Sequence, residues 1–163
     1  ALKYSDIDRK NNVMHIRHTM KTITGVGMVE DTPKTKTSIR EIPLTPDIIK
    51  FVEAQKHFWG FKVTNINGYL FCDEKGNPLK EDTIKYEIRQ VIKKIRQDGK
   101  EFPDITPHVF RHTFATRAIE EGMPPQVLKT IMGHSSLAIT MDLYSHVMED
   151  TKQKEMLSIA NAF

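Results

Sequence analysis

The stretch Thr106–Val147, TPHVFRHTFATRAIEEGMPPQVLKTIMGHSSLAITMDLYSHV, decides how the whole chain is read. Thr106 has the chemistry of a helix N-cap and Pro107 suits the first helical position, so a helix is predicted to begin here. His108 and Arg111, three residues apart, then share one face of it. The Arg111 guanidinium offers a planar fork of donors that matches two phosphate oxygens, and its charge persists at any physiological pH. A second helical stretch is predicted to end near Met132, with Gly133 permitting a tight turn. His134 stands in that turn, where an imidazole donates to an oxyanion or relays a proton near neutral pH. Tyr144 follows ten residues later. Its phenol, with a free pKa of about 10, is a poor nucleophile unless a base or a positive charge assists it. Arginine and histidine neighbours would supply that assistance, and a layout able to converge these four side chains on one point suggests phosphoryl transfer.

Three runs within the stretch carry a resemblance. His108-x-x-Arg111-His112-Thr113-Phe114-Ala115-Thr116, then Gly133-His134-Ser135-Ser136, then Tyr144-x-His146-Val147 resemble the tyrosine recombinases, or phage-type integrases, in letters and in order. The resemblance implies catalytic roles for His108, Arg111, His134 and Tyr144. Met132 stands where the family usually has leucine, a change that conserves volume. The segment Pro33–Leu44 resembles the family's lysine-bearing β-hairpin, which implies that Lys34, with Lys36 as the alternative, protonates the leaving 5′ oxygen. The opening Leu2-x-x-x-Asp6-Ile7-Asp8 resembles a stretch that follows the family's first catalytic arginine. That arginine, an amino-terminal DNA-arm domain and a core-binding domain are therefore expected upstream of Ala1. The 163 residues are expected to be a single catalytic domain, truncated on its amino-terminal side and inactive alone.

The implied reaction is site-specific recombination of a mobile element or phage. The Tyr144 phenol attacks a DNA phosphodiester in line, forming a 3′-phosphotyrosyl link and a free 5′ hydroxyl, with no cofactor and no metal. Expected partners are double-stranded DNA recombination sites, a homo-tetramer of the full-length protein on DNA, and accessory directionality proteins. Two alternatives stay open: DNA relaxation like that of a type IB topoisomerase, and a catalytically silent DNA-binding or assembly module.

Bulk properties set bounds around this reading. A chain of 163 residues with 39% hydrophobic and 28% charged content is long enough for one domain with a core. A net charge of +3 permits an anionic partner without establishing one. The single cysteine, Cys72, rules out an internal disulfide and a cysteine-cluster zinc site, and is what a reducing compartment allows. No apolar run approaches the roughly 20 residues of a membrane span, so a cytoplasmic location is expected.

Outward from the central stretch, Val13–Thr22 alternates as a strand, Ser38–Leu44 reads as a second, and Gly25–Asp31 reads as the turn region between them. Thr45–Trp59 is predicted to be a helix with Ile48, Ile49, Phe51 and Val52 on its core face. Tyr69–Cys72 is a short strand or extended link, closed by the turn at Gly76-Asn77-Pro78. Glu81–Gln97 has the period of an amphipathic helix, with Ile84, Ile88, Val91, Ile92 and Ile95 inward and a basic outer face. Thr151–Phe163 is predicted as a last helix; the family resemblance implies that it docks on a neighbouring protomer, and the plainer alternative is that it packs on its own domain. The fold expected is α+β and mainly α, a tyrosine-recombinase-like helical bundle with a small antiparallel sheet.

Plainer readings apply to the other histidines. His108 and His112 have the i, i+4 spacing of a helical metal pair, but no glutamate follows His108 and no third ligand is evident. His112 reads as a helix-packing residue or one that supports the site residues from behind, His146 as a neighbour that supports Tyr144, and His15, His18 and His57 as surface or packing residues.

Overall fold

The computed structural model describes residues 1–33, 35–58, 68–148, 156–157 and 159–160. The chain divides into two compact units, Ala1–Asp104 and Ile105–Phe163. No helix among the described residues is long and apolar enough to cross a membrane.

In the first unit, β1 (Ile7–Asp8), β2 (Val13–Ile16) and β5 (Arg40–Pro43) form an antiparallel sheet in the order β1-β2-β5. Met14 lies opposite Ile7 on one side and Ile42 on the other. The β1–β2 turn is tied by the Asp8 carboxylate, which accepts from the Asn11 amide at 3.0 Å and from its side chain at 2.7 Å. Those bonds hold the Asp8 carboxyl below its ordinary pKa. Asn12 follows at φ 53°, a left-handed conformation that asparagine tolerates better than most residues.

A separate two-stranded hairpin pairs β3 (Thr19–Ile23) with β4 (Gly27–Asp31). The single strand expected over Val13–Thr22 is therefore two strands in two sheets. The break falls at Arg17 and His18, which leave the ladders to meet Asp6 at 3.8 Å and Glu30 at 3.0 Å. The turn expected over Gly25–Asp31 is likewise corrected: it shrinks to residues 24–26, and Gly27–Asp31 is strand. Alternation was masked there by Gly27 and two acidic residues, whose weak strand propensity the pairing with β3 overrides.

Glu30 gathers the polar ties of this unit. It accepts from Lys3 at 2.7 Å, His18 at 3.0 Å and the Tyr69 hydroxyl at 3.3 Å. Its carboxyl is held below the ordinary range, first by the bond from Lys3. Lys3 also lies 5.4 Å over the Tyr69 ring, a cation–π contact. The short strand or extended link expected over Tyr69–Cys72 is instead a bend at Leu70 and Phe71 between two isolated bridges, Tyr69 to Lys3 and Cys72 to Pro78.

Helix α1 spans Pro46–Phe58, and the Thr45 hydroxyl caps it by accepting from the Ile48 amide at 3.4 Å. Helix α2 spans Glu81–Gln97, with Glu81 and Asp82 in its first turn and Lys94 and Arg96 in its last, as the helix dipole favours. The apolar faces expected on both helices are only partly covered. Val52 and Ile92 are buried, but Ile48, Phe51, Ile84 and Val91 are exposed.

In the second unit, α3 (Pro107–Glu120), α4 (Pro125–Met132) and α5 (Leu137–Val147) pack on one another. Their core is Ala115, Ala118, Ile119, Leu128 and Met132, with Met123, Leu143, Tyr144, Val147 and Met148 against it. Alanines three apart on α3 leave room for close helix approach. Helices α3 and α4 end in the same way. Gly122 (φ 77°) and Gly133 (φ 69°) adopt the left-handed conformation, and the following amides of Met123 and His134 reach back to Ala118 and Lys129 at 2.8 and 3.1 Å. Within the predicted last helix, Met156, Leu157, Ile159 and Ala160 are helical and exposed, and the rest of it lies outside the described residues.

Candidate active site

Helix α3 begins where the sequence placed it, with Thr106 extended at the N-cap and Pro107 in the first turn, although the Thr106 side chain makes no capping bond. His108 and Arg111 stand in the first two turns and are exposed. The Arg111 guanidinium donates to the backbone carbonyl of Met132. That carbonyl belongs to the last turn of α4, where carbonyls lack intrahelical partners, so the arginine satisfies the helix end and is fixed there in return.

Two residues further on, His134 is placed by backbone geometry. Its amide bonds the Lys129 carbonyl at 3.1 Å and the Gly133 amide bonds that of Thr130 at 3.2 Å, the paired bonds of a glycine-terminated helix. The His134 side chain is half-buried, and its Nδ1 lies 2.9 Å from the Thr140 hydroxyl. Thr140 is completely buried on α5, and Tyr144 lies one turn beyond it on the same helix face.

Arg111 and His134 are thus held at one helix terminus, and His134 is bonded to the helix that carries Tyr144. Tyr144 itself is turned inward. Its ring packs against the Ile119–Leu128 core, and its hydroxyl is buried with no hydrogen-bond partner among the described residues. Burial pushes its pKa above the usual phenol value, so in this arrangement the phenol is held in its neutral form. His108, on the face shared with Arg111, makes no hydrogen bond or ion pair among the described residues. Lys34 lies outside the described residues, and Lys36 opens a short 3-10 turn, Lys36–Ser38.

Of the remaining histidines, His112, His146 and His57 are exposed, while His15 pairs with Glu41 at 3.2 Å and His18 with Glu30. Two contributors went unread in the sequence: the Met132 carbonyl and the Thr140 hydroxyl. The first carries no sequence signal, since any residue supplies a carbonyl. The second had one, a threonine four residues before Tyr144 on the side of α5 that faces the core.

The chain is similar to known proteins along nearly its whole length. It is 32% identical over 161 residues to the transposase of transposon Tn916 from Enterococcus faecalis, covering 96% of this chain and 40% of that protein. It is 25% identical over 180 residues to a XerC-like tyrosine recombinase of Caldanaerobacter subterraneus subsp. tengcongensis, covering 45% of its length. Among solved structures, the Tn1549 transposon integrase in complex with transposon right-end DNA superposes with a TM-score of 0.83 at 31% identity, over 98% of this chain and 52% of that one. XerA recombinase superposes at 0.67 and 25% identity. The chain therefore spans about two-fifths of its curated relatives and half of the solved structures. The mainly helical fold with small antiparallel sheets is that of the tyrosine recombinase catalytic domain. The phage integrase family model matches residues 1–151, and the chain belongs to that family.

Proposed function

We propose that this chain is the catalytic domain of a mobile-element integrase that cuts and rejoins DNA through a 3′-phosphotyrosyl intermediate. The observation that carries the reading is the seating of Arg111 and His134 at the same terminus of α4, one through the Met132 carbonyl and the other through the turn at Gly133. Two positively polarised donors held by backbone geometry are preorganised for the nonbridging oxygens of a phosphodiester, whose charge grows in the transition state. The Tn1549 integrase captured on transposon DNA supports the choice of substrate.

In the reaction, the Tyr144 oxygen attacks phosphorus as the bond to the 5′ oxygen breaks. His108 takes the phenol proton, and Lys34 gives one to the departing oxygen. Arg111 binds the nonbridging oxygens and His134 donates to one of them. Tyr144 acts after its hydroxyl leaves the core, since a buried neutral phenol reaches no solvent-borne phosphate. Religation by the 5′ hydroxyl of a partner strand reverses the step and conserves the bond energy. Exchange between two duplexes calls for a tetramer in the whole protein, with directionality proteins as accessory partners and the cytoplasm as the setting.

The test is covalent capture on a nicked DNA suicide substrate, using a protein that carries this domain with the segments its relatives have before it. A denaturing gel should show a protein–DNA adduct with the unsubstituted protein, none with Tyr144→Phe, and at least about a hundredfold slower formation with Arg111→Lys, which loses the two-pronged contact. An adduct that persists in Tyr144→Phe would falsify the assignment of the nucleophile.

A further inference from the structure

Among the described residues, Thr140 is the one polar residue of this unit with a fully buried side chain, in a core built of apolar side chains and the inward-turned Tyr144. A buried hydroxyl that gives its proton to no acceptor is costly, so its bonding carries information. Thr130, on α4, shows the ordinary outlet: its hydroxyl donates to the carbonyl one turn back, that of Gln126, at 3.0 Å. Thr140 does otherwise. Among the described residues its hydroxyl makes one hydrogen bond, to Nδ1 of His134 at 2.9 Å.

We infer that Thr140 is a positioning residue whose buried hydroxyl donates to Nδ1 of His134 and so sets the proton of the neutral ring on Nε2. The direction follows from the hydroxyl. Were Nδ1 the donor, the Thr140 proton would be left inside the core without an acceptor, whereas a neutral imidazole offers an acceptor at whichever nitrogen lacks hydrogen. Nε2 then carries a proton in the neutral ring as well as in the imidazolium. This rests on the phosphate chemistry proposed above, in which His134 is a donor to a nonbridging oxygen. The same bond ties the turn holding His134 to α5, one turn before Tyr144, so a single hydroxyl links the orientation of the oxyanion donor to the helix of the nucleophile.

The test records imidazole nitrogen–proton correlations of the 15N-labelled chain at a pH where the ring is neutral, with His134→Gln used for assignment. The expected pattern is an acceptor-type Nδ1 and a protonated Nε2 in the unsubstituted chain and in Thr140→Ser. In Thr140→Val the Nδ1 resonance should move away from its position in the unsubstituted chain. A proton found on Nδ1 in the unsubstituted chain overturns the inference, and so does an unchanged His134 spectrum in Thr140→Val. A titration with inorganic phosphate, followed on the Arg111 and His134 side chains, reads the consequence. Affinity should fall about fivefold in Thr140→Val, the factor one ordinary hydrogen bond is worth, and return in Thr140→Ser. Equal affinity in Thr140→Val overturns the positioning role. Failure of phosphate to perturb either side chain in the unsubstituted chain overturns the phosphate reading, while the tautomer result stands by itself.

Discussion

The two units of this chain are held together in different ways. In Ile105–Phe163, Ala115, Ile119 and Leu128 are at most 1% exposed and three helices close over them. In Ala1–Asp104 the buried apolar residues, Leu44, Val52, Leu70 and Ile92 among them, are spread over a longer stretch, Phe51 and Val91 stay more than half exposed, and polar ties add to the packing. Glu30 bonds Lys3, His18 and Tyr69, and Arg96 holds the Phe102 carbonyl at 2.6 Å and the Asp104 carboxylate at 2.9 Å. Dry interdigitated packing fixes angles, because a displaced side chain meets a neighbour at once. Solvated ties are weaker and respond to pH and salt. The unit with the dry core is the one that carries Arg111, His134 and Tyr144, side chains whose chemistry depends on direction.

The largest effect should come from opening that core. Leu128→Ala removes a fully buried side chain between α3 and α5 and should lower unfolding stability by about 2–5 kcal/mol, read by urea denaturation followed by circular dichroism. The bond from Arg111 to the Met132 carbonyl should loosen with it. A loss smaller than that of a surface substitution would erase the contrast between the units.

Glu30→Gln should cost at most about half as much, since its partners are partly exposed and screened by water. Its pH dependence follows from the lowered pKa of Glu30. A carboxyl depressed in the folded state stabilises fully above its unfolded value, roughly pH 4.3, and that contribution fades as pH falls through the lower folded value. The gap between the parent and Glu30→Gln should therefore be present at neutral pH and close on acidification. A gap that widened in acid would give the cluster the opposite role.

Tyr144→Phe sharpens the contrast by having almost no cost. Its hydroxyl is buried without a partner among the described residues, so removing it should leave stability unchanged or raise it by up to about 1 kcal/mol. Thermal denaturation of the two proteins decides it. A clear drop in stability would mean that the hydroxyl has a partner in solution.

Elements whose signals are local were legible in the sequence. Helix α2 matches the predicted Glu81–Gln97 at both ends, and α3 starts at Pro107 because proline there loses no bond that a helix start would have made. Gly133 after Met132 placed the His134 turn correctly, since glycine adopts the left-handed conformation without steric cost. The strand over Val13–Thr22 was misread because alternation persists across Arg17 and His18, whereas the sheets divide there on the pull of Asp6 and Glu30. Ile84 and Val91 have the period of a buried face and are exposed, because periodicity states which residues share a side and not what covers it.

By itself the sequence determined the family, helix α2, the start of α3, the end of α4 and which residues are candidates for the site, since caps, glycines and motif letters act over a few neighbouring positions. The tertiary structure alone decided that Arg111 is seated on the Met132 carbonyl, that Thr140 meets Nδ1 of His134, and that the Tyr144 hydroxyl is turned into the core. Those facts depend on which side chains three packed helices bring within about 3 Å, a distance that hydrogen bonding requires and that sequence spacing does not encode.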